Sequence, residues 1–144
     1  MKKLLAVTML SQHNLRILHW KASTADFDPI HELMGSYVDQ MGEWIDLFAE
    51  VGLMLGEDPI ALHEVPSVLD ACGIEMKAPD VNHSFTPVQI FTVVGYVLRQ
   101  LQECIREKLK DESLPRGVQS ELEVVDFWLT KELNYKNKQR LQNN

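Results

Sequence analysis

Cysteine is scarce in this 144-residue chain: Cys72 and Cys104 are the only two, and they lie far apart in apolar helical surroundings. Two such residues build no disulfide framework. They suit buried free thiols in a reducing compartment, so a cytoplasmic location is expected. Basic residues are in deficit, 14 Lys and Arg against 21 Asp and Glu. The resulting net charge of −7 excludes a nonspecific grip on phosphate backbones and favours cations as partners. The N-terminus offers only Lys2 and Lys3, and the C-terminal Lys131, Lys136, Lys138 and Arg140 form a modest patch with no base-reading motif. Little or no DNA binding is expected. No run is long and apolar enough to span a membrane. Met1, Lys2, Lys3 and the run Leu4 to Leu10 imitate a secretion signal, but the run is short and passes into Ser11, Gln12, His13 and Asn14 without a small-residue cleavage site. It reads as the first helix of the fold. Internal repeats, low-complexity tracts and a glycine-rich phosphate loop are also missing. No Glu-x-x-His motif occurs, which excludes the di-iron centre that such motifs build inside a single bundle.

What is present is apolar helical periodicity, with 45% hydrophobic residues, enough for the core of one domain over 1–144. A first helix is expected from about Lys2 to Lys21, with Leu4, Leu15 and Leu18 facing inward, ended by the turn residues Ser23, Thr24, Asp26, Asp28 and Pro29. From Asp28 to Leu55, Ile30, Met34, Tyr37, Met41, Trp44, Ile45 and Phe48 recur three or four apart, which predicts one long helix closing near Gly56. Prolines and glycines break the pattern from Glu57 to Phe85, apart from a short helix over Pro66 to Cys72 stopped by Gly73. A third long helix opens at Thr86, where Thr86 and Gln89 have capping-box spacing and Pro87 takes the first helical position. Its stripe is Ile90, Val94, Val97, Leu101, Ile105 and Leu109. Ser113, Leu114, Pro115 and Gly117 predict a tight turn. A last helix with Val118, Leu122, Val125, Leu129 and Leu133 inside then frays into a polar tail from Asn134 to Asn144. Four long helices with one long crossover carrying a short helix between the second and third predict an all-α, ferritin-like four-helix bundle.

Chemistry concentrates on the second helix. His19 and His31, with Asp46 and Glu50, supply the mixed nitrogen and oxygen donors suited to iron or zinc. Asp46 and Glu50 are four apart, so they project from one face about a turn apart. His31 lies on nearly the same side as Asp46, but ~22 Å away along the axis at about 1.5 Å per residue. One chain cannot bring all four groups to one metal. Two copies packed antiparallel about a two-fold axis near Val38 and Asp39 would bring His31 of one to Asp46 and Glu50 of the other, creating two sites. His13, His63 and His83 read as surface or satisfied core residues. Met34, Met41 and Met54 read as core or interface packing, and Tyr37, Trp44 and Phe48 as core. Asp111, Glu112, Glu121 and Glu123 read as acidic residues favoured by the dipole at the start of the last helix.

The segment His19-Trp20, Phe27, Ile30-His31-Glu32-Leu33, Ile45-Asp46, Ala49-Glu50 and Gly52 resembles the ferroxidase region of the Dps family of miniferritins. Twelve positions separate the histidines, fifteen lead to the aspartate and four more to the glutamate, as in that family's pattern. The resemblance extends more loosely to the short crossover helix and to Glu123 and Trp128. It implies a hollow dodecamer built from two-fold dimers, which oxidises iron(II), usually with hydrogen peroxide, and deposits iron(III) inside. It also implies that His19 and His31 are metal ligands from one chain and Asp46 and Glu50 from its mate. Trp20 would sit against the site and take an oxidising equivalent. The same donors would also hold zinc or manganese. One position departs from the pattern: Gly35 stands where the family has a further carboxylate, which removes an acidic ligand and opens a coordination position for water or for Asp39. A catalytically reduced relative with a structural or binding role is the alternative that this departure raises.

Overall fold

The computed structural model describes residues 1–143. Its long helices are α1 (Lys2–Lys21), α2 (Phe27–Met54), α4 (Pro87–Leu109) and α5 (Arg116–Lys131). The short α3 (Val65–Ala71) lies in the crossover, after a 3₁₀ turn at Leu62–Glu64, and a π-helical turn (Glu132–Lys136) leads from α5 into α6 (Asn137–Gln142). The result is an all-α four-helix bundle with one long crossover.

The boundaries follow from local chemistry. Thr86 Oγ1 accepts from the Gln89 amide while the Gln89 side chain accepts from the Thr86 amide, and Pro87 fills the first turn of α4. Gly56 (φ +80) and Gly73 (φ +70) take left-handed backbone just beyond α2 and α3, where a Cβ would cost energy. A two-bond clasp, from the Phe85 amide to the Lys21 carbonyl and from the Ser23 amide to the Phe85 carbonyl, ties the end of the crossover to the end of α1.

The predicted stripes converge on one core. Leu15, Leu18, Met34, Met41, Phe48, Ile90, Leu101, Ile105, Leu122 and Leu129 are all fully buried. Tyr37 and Trp44 are buried too, each in an edge contact with Trp128 of α5. Met34 and Met41 belong to this core, whereas Met54 lies 74% exposed near the end of α2.

Four expectations need correction. Cys72 is exposed, because α3 turns only Val65 and Leu69 inward; Cys104 alone is a buried thiol. Gly117 belongs to α5, which starts at Arg116 directly after Pro115. The first turn of α5 consequently holds no acidic residue. Asp111 instead organises the preceding turn by accepting from the Ser113 amide and hydroxyl.

The fourth correction concerns the C-terminal segment, which does not fray at Asn134. A π turn absorbs an extra residue and swings Glu132 and Asn137 inward, where they are only 4% and 3% exposed. Glu132 accepts a hydrogen bond from Tyr37 Oη at 2.7 Å and pairs with Lys136 at 3.0 Å and Arg140 at 3.3 Å. Burial, and then the bond to Glu132, push the Tyr37 phenol well above its usual range. Asn137 donates to the Phe91 carbonyl, and its amide nitrogen would lie 3.2 Å from a Cβ on Gly95. The small residue on α4 thus admits the docked tail. Among the described residues no helix is long and apolar enough to cross a membrane.

Candidate metal centre

His19 lies in the last turn of α1 and His31 in the second turn of α2, so the short connection between these helices sets one imidazole on the other. The ring centroids are 3.7 Å apart with an interplanar angle of 16°. Each ring is also tied to the other residue's backbone: His19 Nδ1 lies 2.7 Å from the His31 carbonyl oxygen, and His31 Nδ1 lies 2.7 Å from that of His19. A carbonyl oxygen can only accept. Both Nδ1 atoms therefore carry hydrogen and donate, which leaves Nε2 as the ring nitrogen through which either imidazole could meet a ligand. A histidine oriented in this way by a backbone carbonyl is prepared for coordination through Nε2. Phe27 closes the far side of the stack, its ring centroid 4.9 Å from that of His31.

Gly35 lies beneath the stack. A Cβ built there would approach His19 Cε1 to 3.2 Å and Nδ1 to 3.5 Å. The imidazole thus packs on bare α2 backbone, and a longer side chain at this position would press on a ring that two other contacts already hold. A pocket of about 400 Å³ opens beside it, lined by Arg16, His19, Trp20, Gly35, Val38 and Asp39. Trp20 and Asp39 therefore share a cavity with His19, and Trp20 is 58% exposed.

Asp46 and Glu50 lie farther along α2, both exposed, and neither carboxylate has a hydrogen-bond or ion-pair partner among the described residues. The helix rise puts them roughly 22 and 28 Å beyond His31. The structure brings His19 and His31 together and leaves Asp46 and Glu50 apart from them. Among the described residues no group of three or more His, Cys, Asp or Glu side chains forms a metal cage.

Two contributors escaped the sequence reading. Arg16, three residues before His19 and thus on its helical face, brings a cation into the pocket; that spacing was the available signal. Phe27 stands in the motif, but its stacking on His31 depends on how the α1–α2 turn closes, which no local pattern encodes.

No family model matches the chain, and no curated protein matches it. Among solved structures the chain is similar to CAIP from Helicobacter cinaedi, at 21% identity over 97% of this chain and 95% of that one, with a TM-score of 0.83. It is also similar to antigen TpF1 from Treponema pallidum, at 19% identity over 98% and 83% of the two chains, with a TM-score of 0.67. At these identities the likeness establishes the bundle and its crossover.

Proposed function

We propose that the chain is a Dps-like iron protein: it binds iron(II) at sites shared between two subunits, oxidises it with peroxide or oxygen, and stores iron(III) in a cage of two-fold dimers, a dodecamer. The observation that carries this reading is the reciprocal locking of His19 and His31. Two imidazoles are held rigidly with both Nε2 atoms unspent, an arrangement a merely structural pair would not need. Asp46 and Glu50 complement them as exposed, unpartnered carboxylates one turn apart, whose mutual repulsion a cation relieves. In the antiparallel dimer they come from the mate. Iron is substrate here: each iron(II) gives up one electron, and a peroxide accepting two electrons and two protons leaves as two waters. Removing iron(II) and peroxide together protects against oxidative damage. Trp20, at the pocket edge, takes stray oxidising equivalents. Zinc or manganese would occupy the same donors without turnover.

The carboxylate missing at Gly35, and Arg16 in the pocket, favour one second reading: a catalytically reduced relative that keeps the assembly for a structural or binding role. Addition of iron(II) in air, or with peroxide in its absence, separates the two. The first reading predicts growth of oxo-iron absorbance that His31→Ala abolishes. Slow, unsaturable oxidation unaffected by His31→Ala would support the second.

A further inference from the structure

Away from the stacked histidines, a second pocket of about 320 Å³ lies between α1 and the crossover and collects Met9, His13, His63 and Met76 in otherwise aliphatic walls. We propose that it is a binding site for a soft monovalent cation, copper(I). The donor set is the first argument. Two thioethers and two imidazoles match the preference of copper(I) for soft sulfur and nitrogen ligands, whereas magnesium, calcium and iron(III) require oxygen. No acidic side chain lines the pocket, so nothing there compensates a hard, multiply charged ion. A singly charged ion in a largely hydrocarbon pocket carries the smallest desolvation cost.

The placement of the four residues is the second argument. Met9 and His13 are one turn apart on α1 and so share a face. His63 sits in the 3₁₀ turn that leads into α3, and α3 packs against α1. Met76 is brought in by its neighbour: the buried Asn14, adjacent to His13, donates through Nδ2 to the Lys77 carbonyl at 2.8 Å. Neither imidazole has a hydrogen-bond or ion-pair partner among the described residues, and His13 only meets the Trp20 ring edge-on at 6.3 Å. His13, His63 and Met76 are exposed and Met9 half-buried, so an ion has access and the side chains have freedom to close on it.

The test is anaerobic competition between the full-length protein and the chromophoric chelator bathocuproine disulfonate for copper(I). Wild type and Cys72→Ser both withdraw one copper per chain. Met9→Leu/Met76→Leu, which conserves side-chain volume but removes both thioethers, weakens binding by at least about tenfold. His63→Ala, at an exposed position, does the same and serves if the double variant fails to fold. His19→Ala leaves copper binding unchanged, which separates this site from the iron reading. X-ray absorption of the Cys72→Ser protein then shows both sulfur and nitrogen around copper. Failure to compete with the chelator, loss of copper in Cys72→Ser, or full retention in Met9→Leu/Met76→Leu or in His63→Ala would each overturn the proposal.

Discussion

Gly35 offers a quantitative test of how the histidine pair is held. In an unobstructed helix interior Gly→Ala stabilises by about 1 kcal/mol, because alanine restricts the unfolded chain and favours the helix. Here the new methyl would meet His19 Cε1 at 3.2 Å, a few tenths of an ångström inside ordinary contact. The ring cannot retreat cheaply, since it stacks on His31 at 3.7 Å and its Nδ1 is bound to the His31 carbonyl at 2.7 Å. Overpacking of this kind costs about 1–3 kcal/mol. Gly35→Ala is therefore expected to be neutral or destabilising by up to about 2 kcal/mol in the wild-type background. In His19→Ala, where the obstructing ring is gone, the same change recovers the propensity gain of about 1 kcal/mol. The coupling between the two positions is thus about 1–3 kcal/mol, well above the few tenths expected of independent sites. Urea unfolding of the four proteins, followed by circular dichroism at one fixed protein concentration, measures it. Equal stabilisation by Gly35→Ala in both backgrounds would show that His19 does not rest on the α2 backbone and would refute the packing argument.

The docked C-terminal segment gives a second expectation. Glu132→Ala leaves the buried Tyr37 hydroxyl without its acceptor and removes the carboxylate that Lys136 and Arg140 pair with, so it should destabilise by about 1–3 kcal/mol. Glu132→Gln, which keeps an acceptor for Tyr37, should cost less; equal effects in thermal unfolding would contradict the ion-pair reasoning. A third concerns pH. The amino terminus of Met1, 2.8 Å away and hydrogen-bonded to it, holds the Glu57 carboxyl below its ordinary value of 4.5. A depressed carboxylate contributes stability that is complete above its unfolded pKa and is lost as pH falls through the folded one. Glu57 is partly exposed, so solvent screening limits this contribution to under about 1 kcal/mol. Glu57→Gln should lower stability at pH 7 but not once the pH has fallen below the depressed folded pKa of the carboxyl, and a pH-independent difference would argue against the pairing.

The long helices were legible because their apolar residues repeat at helical spacing and their ends carry chemistry with a fixed meaning: Thr86, Pro87 and Gln89 at one start, Gly56 and Gly73 at two stops. The C-terminal segment was not. Glu132 and Asn137 are polar, and periodicity assigns polar residues to solvent; their burial depends on Tyr37, Phe91 and Gly95, which lie 37 or more residues away in the chain. Cys72 failed for the opposite reason, since an apolar neighbourhood in sequence does not ensure burial of the residue that caps a short helix. At the candidate site, His19 and His31 were found from their spacing, and the distance from His31 to Asp46 and Glu50 followed from helix rise. The stacking and the exchange of Nδ1 bonds were beyond reach, because they depend on the angle at which α1 meets α2. Gly35 was read as a missing ligand; the structure adds that it is also the surface on which His19 rests.

Subunit complementation tests the shared site most directly. His31→Ala and Asp46→Ala/Glu50→Ala chains, each inactive alone, are unfolded together, refolded as a one-to-one mixture and assayed for iron(II) oxidation. If imidazoles from one chain work with carboxylates from its mate, half of the dimers are mixed and each mixed dimer has one intact site, so about a quarter of wild-type activity returns. A mixture as inactive as its parents, while wild type refolded in the same way oxidises iron, would contradict the account.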